Sequence, residues 1–198
     1  VEALLDLIKG IQNSSLISFD LETTSTTPLE ADIVGISFSL EPHSGFYIPV
    51  QFPEKTDNDM TLDEILTHLK PEFENDKNQF CGHNIKYDIL VLSRYAIGVH
   101  AVSFDTMIAE HLLHPDKNSY KLDYLSLDYL NYSMVPIEDL IGSGLHQKSM
   151  AEVPLEDISY YAIEDADIVY QLSTILKDRL ETENLLDLYN KIELPLVM

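Results

Sequence analysis

Leu16-Ile17-Ser18-Phe19-Asp20-Leu21-Glu22 is a short apolar run that ends in acids and leads into the Thr/Ser/Pro loop Thr23 to Pro28. Its length and its apolar content predict a buried strand. Two more strands are expected close behind it, Ile33 to Leu40 with Ile36, Phe38 and Leu40 in alternation, and Gly45 to Val50 after the turn residues Glu41 to Ser44. Three strands so close in sequence predict an antiparallel meander. Before the run, Leu4, Leu5, Leu7 and Ile8 form an amphipathic stretch closed by a turn over Gly10 to Ser15.

After the meander the chain reads as helices alternating with short strands. Thr61-Leu62-Asp63-Glu64 has capping-box spacing before a helical pattern through Leu69, Asn78 to Gly82 reads as a strand, and a helix follows from about Asn84 to Tyr95. Asp105 to Leu113 and Leu122 to Leu130 are helical, and Pro154 opens a long helix with Glu156 and Asp157 in its first turn. The expected fold class is therefore α/β, one mixed sheet covered by helices.

The chain has 198 residues, 45% of them hydrophobic, which supports one sizeable core and excludes disorder for its bulk. Twelve Lys and Arg against 34 Asp and Glu give a net charge of −22, so a basic face that holds nucleic acid by itself is excluded. Any polyanion would be met through cations or a partner surface. The single cysteine, Cys81, excludes an internal disulfide framework and a Cys-rich zinc site. No apolar run approaches the ~18 residues of a membrane span and no signal-peptide pattern opens the chain, so a cytoplasmic protein without membrane contact is expected. Val1 and the run Ile192, Leu194, Leu196, Val197 place both ends inside amphipathic stretches, as expected of a single domain, 1–198, excised from a longer protein.

In so acidic a chain the informative acids are those at positions that should be apolar. Glu72, Glu74, Asp76, Asp178, Glu181, Glu183 and Asp187 read as solvated surface. Asp20 and Glu22 lie two apart on a strand and so point to the same side. Two like charges at the end of a buried strand repel unless a cation lies between them, which suggests a metal site; a wet acidic edge strand is the alternative. Asp88 falls on the apolar stripe of Ile85, Ile89 and Leu92, with Asn84 one turn earlier. Asn84 reads equally as a helix N-cap, and Asp88 as a buried acid paired with Lys86 or Arg94, although neither lies at i±3 or i±4. Asp165 interrupts the stripe Ile158, Tyr161, Ala162, Ile168, Val169, Leu172 of the long helix, where an unpaired carboxylate is costly. Tyr161 shares that face, either bringing a phenol to the same place or serving as a core tyrosine. Four carboxylates on three segments, all oxygen donors, suit Mg²⁺ or Mn²⁺, and two such ions are the arrangement used for phosphodiester hydrolysis.

Phe19 to Thr24, Gly82-His83-Asn84-Ile85-Lys86-Tyr87-Asp88 and Tyr161-Ala162-Ile163-Glu164-Asp165-Ala166-Asp167 resemble, in order, the three exonuclease motifs of the DEDD superfamily. The connecting text Val34-Gly35-Ile36-Ser37-Phe38, Tyr47-Ile48-Pro49-Val50, Phe104-Asp105-Thr106-Met107, Leu122-Asp123-Tyr124-Leu125 and Ile192 to Val197 is similar to the 3′-5′ proofreading domain of family A bacterial DNA polymerases (DNA polymerase I). The resemblance covers nearly the whole chain. It implies a ribonuclease H-like fold with a five-stranded mixed sheet, and 3′-to-5′ hydrolysis of single-stranded or frayed DNA ends to deoxynucleoside 5′-monophosphates. It further implies two divalent ions, Mg²⁺ or Mn²⁺, the first held by Asp20, Glu22 and Asp165, the second bridged by Asp20 and reached by Asp88 directly or through water. Tyr161, at Y-x₃-D spacing, would orient the attacking water, and Tyr160 where another subclass has His assigns the tyrosine subclass. Thr23, His83 and Asn84 would contact substrate. The expected partners are DNA 3′ ends and a polymerase domain in cis, in a monomer.

There are departures from the family pattern. Relatives often carry a lysine-bearing glycine loop where this chain has Gly142-Ser143-Gly144-Leu145, a basic residue near Asn118-Ser119, and Leu where Thr26 stands. Fewer cations should weaken the grip on DNA and leave the metal chemistry intact. His111 and His114, three apart near a helix end, read as exposed or dipole-compensating residues. Competing readings are a ribonuclease D-like RNA-trimming enzyme, which uses the same acids and Tyr, and a non-catalytic scaffold, which retention of Asp20, Glu22, Asp88, Tyr161 and Asp165 counts against.

Overall fold

The computed structural model describes residues 1–144 and 147–197. The meander is present as β1 (Ile17–Thr23), β2 (Ile33–Ser39) and β3 (Phe46–Pro49), and β4 (Phe80–Gly82) and β5 (Val102–Asp105) complete one sheet of order β3-β2-β1-β4-β5. The β1–β2 and β2–β3 pairs are antiparallel and the β1–β4 and β4–β5 pairs parallel. Strand β1 is thus central, and strand alternation gives its two sides different tasks. Ile17, Phe19 and Leu21 enter an apolar core with α1 (Glu2–Asn13), α2 (Leu62–Phe73) and α3 (Ile85–Ser93). Phe19 stacks there on Phe73 and Phe80, with ring centroids 5.1 and 5.5 Å away.

The other side of β1 carries Ser18, Asp20 and Glu22, opposite Ser39, Ser37 and Gly35 of β2. This small and polar floor is covered by α7 (Leu155–Thr182), whose buried Ala162 and Ala166 permit a close approach. A second core joins α7 to α4 (Thr106–Leu113), α5 (Leu122–Leu130) and Tyr189, and includes Cys81 and Phe104 from the sheet. A smaller one, Val34, Ile141, Met150, Val153 and Ile158, links α6 (Ile137–Ile141) to the edge of the sheet.

Several boundaries differ from the expected ones. The Gly10–Ser15 turn is mostly helix: α1 continues to Asn13 and buries Ile11 in line with Leu4 and Leu7, and Gly10 lies against Leu40, whose Cδ1 an added Cβ would meet at 2.8 Å. The capping box at Thr61 and Glu64 is formed, and α2 runs past Leu69 to Phe73. Asp105 belongs to β5, a four-residue strand too short to show alternation, and caps α4 rather than lying within it. Of the glycine loop, Leu145 lies outside the described residues.

Candidate metal centre

Alternation along β1 places the carboxylates of Asp20 and Glu22 on one side, and α7 brings Asp165 down onto them through its apolar stripe. One oxygen from each of the three lies within 4.8 Å of the other two. Asp88, on α3, approaches the same strand from its edge and accepts a hydrogen bond from the Leu21 N–H at 3.2 Å. It lines the cleft but stands outside the close triad. The expected bases are engaged elsewhere, Lys86 Nζ on the Leu196 carbonyl and Arg94 on Ala31 and Asp32. Among the described residues none of the four carboxylates is in a salt bridge.

Charges so placed are expensive. Burial, followed by the charges of Asp20, Asp165 and Asp88, holds the Glu22 carboxyl well above the usual carboxylate range. Burial and then Asp20 do the same for Asp88 and Asp165, and burial raises Asp20 to about 6. Glu22 is only 6% exposed, and its Oε1 finds no hydrogen-bond partner among the described residues. A buried carboxylate oxygen without a donor and a donor set made wholly of oxygen both fit a hard divalent cation, which would supply the missing positive charge.

The surrounding residues form a cleft of about 800 Å³. Tyr161 lies against Asp165 on α7, and burial together with the Asp165 charge raises its phenol pKa, so it is protonated at neutral pH. Thr23 lines the rim, but its hydroxyl is committed to Tyr87 Oη at 2.6 Å and the Ser25 carbonyl at 3.1 Å. His83 is half-buried, with Nδ1 2.8 Å from Thr106 Oγ1. Burial pushes its imidazole down to about 4, so it is neutral.

Asn84 occupies the N-cap position of α3, yet its side chain makes no cap bond and its backbone is left-handed at φ 57°. Asp105 supplies the cap instead: Oδ2 accepts the Ile85 N–H at 2.8 Å while Oδ1 accepts the Ile108 N–H of α4 at 3.0 Å. The exposed Asn84 amide is thereby left facing the cleft.

Sequence reasoning missed several contributors. Asp105 could have been read as an N-cap from its place before a helical run. Glu164, 8% exposed beside Asp165, binds Tyr132 Oη at 2.7 Å and the Val135 N–H at 2.8 Å, anchoring the α5–α6 connection to α7. Tyr47 of β3, Ile141, Lys148 and Met150 carried no local signal; the last three line the cleft. His111 and His114 do not converge: His114 Nδ1 is 3.0 Å from the buried Glu110 Oε1, and the His111 ring packs on Tyr120.

The comparisons with known proteins show the family and the fold of this chain. A family model described as 3′-5′ exonuclease matches residues 1–181. DNA polymerase I of Chloroflexus aurantiacus is 39% identical over 196 residues, covering 98% of this chain and 20% of that protein. The chain thus spans about a fifth of the length of the curated relatives it matches. Among solved structures, the POL domain of Pol1 from M. smegmatis, in complex with DNA primer-template and dNTP, superposes with a TM-score of 0.75 at 18% identity, covering 99% of this chain and 29% of that one. The catalytic core of RRP6 from Trypanosoma brucei gives a TM-score of 0.72 at 18% identity over 100% of this chain and 50% of that one.

Proposed function

Because the chain belongs to the 3′-5′ exonuclease family of DNA polymerase I, a family of nucleases that hydrolyse phosphodiester bonds, we propose that Asp20, Glu22, Asp88, Tyr161 and Asp165 form its active centre. In this reading it removes deoxynucleoside 5′-monophosphates one at a time from single-stranded or frayed DNA 3′ ends, in the cytoplasm, as a proofreading unit of a monomeric polymerase. The observation that carries the reading is the convergence of Asp20, Glu22 and Asp165 within 4.8 Å, with no salt bridge to any of them among the described residues.

Asp20, Glu22 and Asp165 would hold one Mg²⁺ or Mn²⁺, and Asp20 with Asp88 a second. Ions held there would supply a lowered pKa for bound water and positive charge against the oxygens of the scissile phosphate. The protein's own groups then have separable tasks. Tyr161, protonated and adjacent to Asp165, orients the attacking water with its hydroxyl. The Asn84 amide offers a donor to the terminal nucleotide. Neutral His83 and the Thr23–Tyr87 pair shape the wall rather than contribute charge, because their polar atoms are already engaged. Lys148 is the Lys or Arg among the described residues that line the cleft, so phosphate binding relies on the ions and on the polymerase region in cis.

The test is a time course on 5′-labelled single-stranded DNA with Mg²⁺ or Mn²⁺, beside an RNA oligonucleotide, an EDTA control and the Asp20→Ala and Asp165→Ala variants. A ladder shortening from the 3′ end of DNA, abolished by chelation and by both variants, is expected. Shortening of RNA alone would transfer the assignment to an RNA-trimming enzyme. A ladder unchanged by both variants would refute the centre.

A further inference from the structure

Tyr47 buries a hydroxyl that has no hydrogen-bond partner among the described residues. In a core that served packing alone, phenylalanine would fill the same space without the desolvation cost of a hydroxyl. The ring does not sit passively on its own strand. From β3 it reaches over β2 at Gly35, where an added Cβ would lie 2.1 Å from its Oη and 2.2 Å from its Cζ. Only the missing side chain of Gly35 leaves that path open.

Gly35 is paired with Glu22 across the antiparallel β1–β2 ladder. Side chains directly opposite in such a pair start about 4.5–5.5 Å apart at Cβ, on the same side of the sheet. The Tyr47 hydroxyl, lying where the Gly35 Cβ would be, is therefore a near neighbour of the Glu22 side chain. Glu22 Oε1 is likewise buried without a partner among the described residues, as is Ser18 Oγ further along the same side of β1. A donor without an acceptor and an acceptor without a donor lie as neighbours over one glycine, and no hydrogen bond joins them in this structure.

We propose that Tyr47 is a positioning residue for the metal centre: when Glu22 turns its carboxylate toward Asp20 and Asp165 to bind an ion, the Tyr47 hydroxyl donates a hydrogen bond to the carboxylate oxygen left over and holds it there. The inference rests on the reading of Glu22 as a metal ligand given above. A phenol keeps its proton at neutral pH and donates a single hydrogen bond, which leaves the second carboxylate oxygen to the ion. The ring packs against the apolar cluster of Val34, Ile141, Met150, Val153 and Ile158.

The experiment is calorimetric titration of Mn²⁺ into metal-stripped wild type, Tyr47→Phe and Asp165→Asn proteins, with circular dichroism to verify folding. Loss of a hydrogen bond behind a ligand typically weakens metal binding about 10- to 100-fold, and that is the loss expected for Tyr47→Phe. At low Mn²⁺ its kcat on DNA falls and is recovered by raising Mn²⁺, while the KM for DNA stays at the wild-type value. Wild-type Mn²⁺ affinity in folded Tyr47→Phe, with binding lost in Asp165→Asn, would overturn the role of Tyr47 alone. Wild-type affinity in Asp165→Asn would overturn the metal centre on which it depends.

Discussion

Glu22 on β1 is paired with Gly35 on β2, and the space that Gly35 leaves is occupied by the ring of Tyr47. Gly35→Ala is expected to displace that ring, because its new Cβ cannot coexist with ring atoms 2.1 to 2.4 Å away. Overpacking of this kind costs roughly 1–3 kcal/mol, to be read from the urea midpoint. An unchanged midpoint would show that β2 yields at no cost.

Metal should stabilise the protein. An ion that binds only the folded centre raises stability by about 2.7 kcal/mol at a concentration one hundred times its Kd. Thermal melts with and without Mn²⁺ measure this. In Glu22→Gln the metal-free protein should melt higher than wild type, because one buried like charge is gone, and the Mn²⁺ increment should shrink. An unchanged metal-free melt would contradict the repulsion inferred among Glu22, Asp20 and Asp165.

The pH dependence of the metal-free protein has a definite sign. Burial raises Asp20 from the ordinary 3.8 to about 6, and Glu22, Asp88 and Asp165 are raised as well. Groups raised by folding bind more protons in the folded than in the unfolded chain, so their contribution is fully present below about pH 4 and is lost as pH climbs through the folded-state values. Stability in EDTA should therefore fall between pH 4 and pH 6 and onward, and Mn²⁺ should reverse the fall. Denaturation in urea at a series of pH values tests this, and stability that rises over the same range would refute it.

Asp105, 1% exposed, caps two helices with its two oxygens. Asp105→Ala removes both caps, each worth about 1 kcal/mol, and leaves a buried and a partly buried N–H group unpaired, so a total loss of roughly 2–4 kcal/mol is expected. Since α3 also carries Asp88, activity should fall with stability. A loss confined to a few tenths of a kcal/mol in urea unfolding would mean that water replaces the carboxylate.

How much of this was legible in the sequence follows from the range of each interaction. Asp20 and Glu22 announced themselves because strand alternation is local, and Asp165 because it breaks a long helical stripe. The meander was readable from closely spaced apolar runs. Strand β5 was not, since four residues hold too little periodicity and its place is set by pairing with β4. The roles of Tyr47 and Glu164, and the cap that Asp105 gives to α3, were hidden for a related reason: each acts through residues 12 or more positions away, brought near by the sheet or by α7. Asn84 shows the converse, an N-cap residue by type whose capping task a distant aspartate has taken.

The most direct test of the central claim is a crystal soaked in Mn²⁺ and measured for anomalous scattering. A peak bound by Asp20, Glu22 and Asp165, absent in Asp165→Asn, is the predicted result. A protein that shortens DNA in the same Mn²⁺ buffer but shows no peak among these three carboxylates would contradict it.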